Sequence, residues 1–314
     1  MTRLPVILGC TASGKASVGL ELAKRLGGQI VVVDSMKVYR RMDIGTAKPN
    51  ADAQSTVPHH CIDLVEPSEE FSVADYVCAA DSAIERIVAM GATPLAVGGT
   101  SLYLKGLCEG LFEGPPADQA FRDTLKARAA AEGLAALHRE LVQVDPPAAE
   151  LIHPNDERRI VRALEVYHTH GTPISDLQQQ WDAGQTRYDC IYIGLRREKE
   201  AQSRRINQRV KKMIDAGLVD EVRALLDEPD ALSRQAAAAV GYAELIAHFR
   251  GACSEAEAIE KIKINTRKLA KKQRTWHRKF PGVIWFDVTD DDTAGSVADR
   301  IQASISFDSG PSGP

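Results

Sequence analysis

The sequence predicts an α/β protein, a P-loop-type doubly wound parallel sheet with an all-helical insertion domain. Three observations carry that expectation. The runs "LPVILG" (4–9), "QIVVVDS" (29–35) and "TPLAVGG" (93–99) are short, continuous and rich in β-branched residues. Continuity rather than alternation marks strands covered on both faces, as in a parallel sheet. Gly9, Gly14 and Lys15, in "GCTASGKA", fit the phosphate-loop spacing G-x-x-x-x-G-K between the first two runs. From residue 115 to 189 the strand rhythm stops and the chain reads as helix throughout.

Along the chain, Val18, Leu22 and Leu26 recur every fourth residue, and Gly27-Gly28 can end a helix. Residues 4–35 therefore form a strand–loop–helix–strand unit. A helix from about Val73 to Met90 precedes the third strand. The insertion opens at Pro115-Pro116 and continues through "DQAFRDTLKARAAAEG", "LAALHRELVQV" and "DERRIVRALEVYHTHG". "CIYIGL" (190–195) and "VIWFDV" (283–288) are expected as further strands of the same sheet, in a second half that is otherwise helical. These boundaries give a core of 1–114 with 190–304, an insertion of 115–189, and a flexible polar tail, "SFDSGPSGP", from about 305 to 314.

Composition narrows the function. With 44% hydrophobic and 26% charged residues the chain is ordinary for a globular protein. No apolar run approaches the roughly 18 residues of a membrane span, so a cytoplasmic protein with no membrane partner is expected. The six cysteines contain no C-x-x-C pair and read as reduced thiols. The adjacent His59-His60 point apart in any regular element, which favours a buried or turn role over metal binding. A net charge of −4 argues against indiscriminate nucleic-acid binding, yet "ERRIVR" (157–162), "RRINQRVKK" (204–212) and "KIKINTRKLAKKQRTWHRK" (261–279) are basic. The last holds nine Lys and Arg and no acid. Each alone reads as a solvated helix face; together they fit a groove for a polyanion.

Ligands of open parallel sheets bind beyond the carboxyl ends of the strands. Those ends carry the loop Gly9, Cys10, Thr11, Ala12, Ser13, Gly14, Lys15, Ala16, then Asp34-Ser35, then Gly98-Gly99-Thr100. A phosphate cradle, a carboxylate and a hydroxyl would converge on one crevice. Asp34 could instead cap a turn, and Thr100 a helix. The loop amides, the helix start and Lys15 favour an anion such as a diphosphate. Ala16 stands where Ser or Thr normally offers magnesium a hydroxyl, so a metal there needs other oxygens or more water, and its ligands stay unknown.

"GCTASGKA", "VDSMKVYRRMDIGTAKP", "GGTSLYLKGL", "HPNDERRIVRALEVY" and "GLVDEV" closely resemble the tRNA dimethylallyltransferase, or tRNA isopentenyltransferase, family over roughly residues 4–288. The resemblance implies transfer of a dimethylallyl group from its diphosphate to the exocyclic amine of the adenosine beside the anticodon, in tRNAs reading codons that begin with U. It implies Asp34 as general base, Thr100 as the group orienting the amine or the bridging oxygen, and Arg209 as a cation on the leaving diphosphate, with Mg²⁺ as cofactor. Without the resemblance, Arg209 would read as a solvent-facing member of a basic helix. It further implies tRNA contacts at Asp34, Ser35, Met36, Lys37, Thr100, Arg122, Arg158, Arg159, Ile160, Val161 and Arg162, with the basic helix 261–279 along the tRNA backbone. The partners are then the anticodon stem-loop of tRNA and dimethylallyl diphosphate, bound by a monomer with no obligate protein partner.

Two departures stand out: Ala16 replaces the usual Thr, and "AAAAVGYAE" lacks the arginine that follows Gly-Tyr in the family, Ala243 taking its place. The latter suggests that one tRNA contact near Gly241-Tyr242 is lost or supplied elsewhere. A C-terminal zinc module, which some relatives have, is not expected. Three other readings stay open: an enzyme prenylating free adenine nucleotides, a small-metabolite kinase, and an inactive RNA-binding protein. The insertion and basic runs oppose the first, Ala16 the second, and intact Lys15, Asp34, Thr100 and Arg209 the third.

Overall fold

In the computed structural model, residues 1–111, 118–177 and 186–307 are described. The Pro115-Pro116 opening of the insertion and tail residues 308–314 lie outside them. In chain order the first elements are β1 (Arg3–Gly9), α1 (Lys15–Arg25), β2 (Gly28–Val33), α2 (Ala51–Thr56), β3 (His59–His60), α3 (Val73–Ala89), β4 (Thr93–Gly98) and α4 (Ser101–Glu109). The helices α5 (Gln119–Glu132), α6 (Leu134–Val144), α7 (Pro146–Leu151), α8 (Glu157–His170) and α9 (Ile174–Leu177) follow. The chain closes with β5 (Asp189–Arg196), α10 (Lys199–Asp215), α11 (Leu218–Leu226), α12 (Arg234–Ala237), α13 (Tyr242–Phe249), α14 (Glu255–His277), β6 (Ile284–Asp287) and α15 (Ala294–Ser304).

The chain divides into two compact units, Met1–Cys108 with Tyr188–Pro314, and Glu109–Arg187. The first is built on a six-stranded sheet of order β3-β2-β4-β1-β5-β6, every pair parallel. Buried Ile7, Ile30, Val32, Leu95, Val97 and Ile193 pack with Val18 and Leu22 of α1, which is why the strand sequences run apolar without alternation. His59-His60 form a two-residue edge strand beside β2, a pairing too short to leave a periodic signal. His60 Nε2 meets Gln29 Oε1 at 2.7 Å.

Ile305 and Phe307, expected to open the tail, are packed instead. Ile305 is buried in the main core and Phe307 packs against it, because the apolar i, i+2 pair lies on one side of the extended chain leaving α15.

The second unit is all helix among its described residues. Leu125, Leu137, Leu141, Ile160, Ala163 and Leu164 form its own core.

Candidate functional site

β1 and β4 lie side by side, and their connections leave toward opposite edges of the sheet. That is the position at which a doubly wound sheet opens a crevice. Gly98 has to be glycine, because a Cβ there would run into the Val33 carbonyl. The close approach lets Gly99 and Thr100 donate their amides to Val33 O at 3.1 and 3.3 Å. Thr100 Oγ1 in turn accepts the Ser35 N–H at 3.1 Å.

Asp34 does cap a turn, but with one oxygen only. Its Oδ1 accepts the amides of Met36 (3.0 Å) and Lys37 (3.4 Å), while Oδ2 takes no hydrogen bond among the described residues. Oδ2 is thus an oriented acceptor.

The phosphate loop follows β1. Ser13 N donates to Cys10 O at 3.1 Å, and α1 starts at Lys15 with no side-chain cap, so its first-turn amides remain available to an anion. Elsewhere in the loop, hydrogen-bonding capacity is taken up by the protein. Thr11 N donates to Gln273 Oε1 at 2.8 Å, and Gln273 Nε2 donates to Gly99 O at 3.0 Å. One α14 side chain thereby ties the phosphate loop to the end of β4. From α10, Gln202 Nε2 donates to Thr11 O and Arg205 Nε to Ala12 O (3.4 Å). Arg197 Nε donates to Ser13 O at 3.2 Å. These residues escaped the sequence reading. The buried positions 258, 262, 266, 270 and 277 of α14 repeat about every fourth residue, and that period also turns position 273 inward.

Around Asp34 the electrostatics are lopsided. Burial, then the charges of Arg209 and Lys37, push the Lys15 ammonium down to about 8, against the pull of Asp34. Burial also lowers Lys37 and Arg209, each opposed by Asp34. Three cations thus share one carboxylate, an arrangement that disfavours an empty site and favours a multiply charged anion. Arg209 is half-buried and lines the crevice, with Nη2 3.5 Å from Thr46 O, so it is not a solvent-facing member of α10. The crevice is a cavity of 970 Å³. Lys15, Asp34 and Arg209 line it together with apolar Val97, Val210 and Met213.

The residues present do not build a magnesium site of their own. Position 16 offers a methyl group, and among the described residues no three His, Cys, Asp or Glu side chains are grouped to hold a metal. Asp43 and Asp63, both at the cavity, are bound to Lys48 Nζ at 2.5 and 2.6 Å.

In the helical unit, the expected contact residues separate into two kinds. Arg158 and Arg159 are exposed on α8. Ile160 and Val161, also expected to contact tRNA, have their side chains buried in the unit's core, where the helical period turns them inward. Arg122 forms a bidentate pair with buried Glu165 (2.8 and 2.9 Å), and Arg162 reaches the same carboxylate at 2.7 Å. Near Gly241, Tyr242 is fully buried, so its side chain is not available as a surface contact, while Ala243 is half-buried.

Among the described residues no helix is long and apolar enough to cross a membrane. A family model described as IPP transferase matches residues 37–280. The chain is 46% identical over 304 residues to a tRNA dimethylallyltransferase of Geobacillus kaustophilus (strain HTA426), covering 96% of this chain and 94% of the relative. It is 46% identical over 286 residues to one of Geobacter sulfurreducens (strain ATCC 51573 / DSM 12127 / PCA), covering 91% and 92%. Among solved structures, the tRNA isopentenylpyrophosphate transferase of Bacillus halodurans is similar at 40% identity and TM-score 0.70, with 96% of each chain covered. A eukaryotic dimethylallyltransferase acting on tRNA aligns at 26% identity and TM-score 0.83, over 97% of this chain and 78% of that one.

Proposed function

The chain belongs to the IPP transferase family of tRNA dimethylallyltransferases, and from that premise we propose how its own residues carry the transfer. The donor is dimethylallyl diphosphate and the acceptor is the exocyclic amine of the adenosine beside the anticodon, in tRNAs that read codons beginning with U. The single observation that carries this reading is the gathering of Lys15, Lys37 and Arg209 around Asp34 at the carboxyl end of the sheet.

Adenine's exocyclic amine is a poor nucleophile because its lone pair is delocalised into the ring. Its nitrogen attacks the allylic carbon, the bond from that carbon to the bridging oxygen breaks, and the electron pair leaves with the diphosphate. The amine proton passes to Asp34, whose Oδ2 is free to take it. Charge growing on the diphosphate is met by Lys15, Arg209 and the first-turn amides of α1. Thr100 orients the amine or the bridging oxygen. If a divalent ion such as Mg²⁺ accompanies the donor, it would help to neutralise the departing diphosphate, with no hydroxyl from position 16 to hold it.

A stacked anticodon-loop base must be extruded to reach the crevice. Arg158 and Arg159 of the helical unit, and the exposed Lys261, Lys268, Lys271 and Lys272 of α14, supply phosphate contacts. The enzyme works as a cytoplasmic monomer. Incubation with labelled dimethylallyl diphosphate and unmodified tRNA, AMP or ADP tests the reading. Label is expected in tRNA; label in AMP or ADP but not in tRNA overturns it.

A further inference from the structure

Glu221, on α11, spends its whole carboxylate on one stretch of cavity wall. Oε2 accepts the amides of Asp43 (2.9 Å) and Ile44 (2.7 Å), and Oε1 accepts that of Gly45 (3.1 Å) together with the Tyr242 hydroxyl (2.6 Å). Three successive backbone donors on one ionised acceptor form a strong, orientation-fixing contact. Tyr242 completes the clamp from α13. Its ring crowds Gly45, where an added Cβ would sit 2.7 Å from Cζ, so only glycine fits.

The clamped stretch is already compact. Thr46 Oγ1 donates to Met42 O at 2.7 Å, and Lys48 N donates to Asp43 O at 2.9 Å. Residues 43–48 all line the cavity, and the carbonyl of Thr46 is the backbone acceptor that Arg209 Nη2 approaches at 3.5 Å. Arg209 and Glu221 also lie on consecutive helices joined by the short turn Ala216-Gly217, with Ile44 Cδ1 4.0 Å from the Cβ position of Gly217. Glu221 therefore holds the segment on which Arg209 rests against the same helical hairpin that carries Arg209.

We propose that Glu221, supported by Tyr242, is a positioning residue that acts through segment 43–46 to aim Arg209 at the diphosphate. The proposal rests on the reading of Arg209 given above. It separates Glu221 from the many carboxylates that merely stabilise a fold, because its effect should vanish when Arg209 is absent.

The test is a double-mutant cycle read by calorimetric binding of inorganic pyrophosphate to the full chain. Glu221→Gln keeps the size but places an amide NH₂ against backbone N–H groups. It is expected to weaken pyrophosphate about 10-fold or more, the range of a lost charge-assisted hydrogen bond. In the Arg209→Ala background the same change should weaken binding by less than about 3-fold, the mark of two residues acting as one unit. Pyrophosphate bound equally by wild type and Glu221→Gln, or weakened by one factor in both backgrounds, overturns the proposal and leaves the function standing. Should Glu221→Gln fail to fold, Tyr242→Phe removes a single hydrogen bond from the clamp. It is expected to cost a few-fold with Arg209 present and nothing without it, and an equal cost in both backgrounds overturns the proposal. A wild-type chain that transfers no dimethylallyl group and ignores pyrophosphate overturns the functional reading and this inference with it.

Discussion

Thr100 and Ser35 join the ends of two strands: the Thr100 hydroxyl oxygen accepts the Ser35 amide at 3.1 Å, one residue beyond Asp34. The Asp34 turn is thereby fixed from both sides, by Thr100 across the sheet and by its own Oδ1 on the Met36 and Lys37 amides. A carboxylate held this way loses little if its second oxygen is altered, so structure and chemistry at Asp34 can be separated.

Asp34→Asn is expected to fold and to bind donor, since an amide oxygen can still accept the two turn amides. Its turnover should fall by something like 10²-fold or more, as for loss of a general base. Single-turnover transfer with saturating donor and tRNA measures it. A rate within a few-fold of wild type would mean that Asp34 serves only the turn.

Lys15 gives a pH dependence with a definite sign. In the free site its ammonium is pushed down to about 8, by burial first and then by Arg209 and Lys37. A bound diphosphate raises it, so binding takes up a proton above that pH. Donor affinity should weaken as pH rises through about 8, approaching tenfold per unit. Lys15→Met should bind weakly at every pH with no such slope. Equal slopes for both proteins would remove Lys15 as the titrating group.

The helical unit separates RNA contacts from structure. Exposed Arg158 and Arg159 are expected to act on phosphates, so Arg158→Ala and Arg159→Ala should each lower the salt slope of tRNA binding by about 0.7 to 0.9, with unchanged melting temperature. Arg122→Ala should behave oppositely. It strips the bidentate partner from buried Glu165, which keeps Arg162 and the Asp118 amide (2.7 Å), so stability should fall by roughly 1–3 kcal/mol. Salt titrations beside thermal melts decide the matter; a melting loss in Arg158→Ala would make that arginine structural.

What could be read from the chain alone follows the range of the interactions. Gly9 to Lys15 and every strand except the two-residue β3 were legible because spacing and apolar continuity are local properties. That the side chains of Ile160 and Val161 turn inward was also legible, since the 3.6-residue period of α8 already implies it. Gln273 and Glu221 were not legible as site residues. Their partners lie far away in sequence, Thr11 for the first and residues 43–45 for the second, and no local pattern announces such a contact.

His277 supplies the last expectation, one about stability. It is fully buried on the inner face of α14, and neither ring nitrogen makes a hydrogen bond among the described residues. Burial, reinforced by the charge of Lys15, pushes it down from 6.5 to about 4, while the backbone of Gly99 pulls weakly the other way without reaching hydrogen-bond geometry. The folded protein therefore keeps this ring neutral across a range in which the unfolded chain protonates it. The unfolded state binds the extra proton between about pH 6.5 and 4, so stability must fall as pH drops through that window and be level above it. The full difference is roughly 3 kcal/mol, and about 2 kcal/mol of it should be lost already at pH 5. His277→Leu removes the titration while filling much of the same volume, so its stability relative to wild type should rise by that amount between pH 7 and pH 5. Denaturant unfolding of both proteins at the two pH values measures the difference, with every other titrating group cancelling in the comparison. If the two proteins lose stability in parallel, His277 takes up its proton as readily in the folded state as in the unfolded one, and a counter-charge or water must reach it.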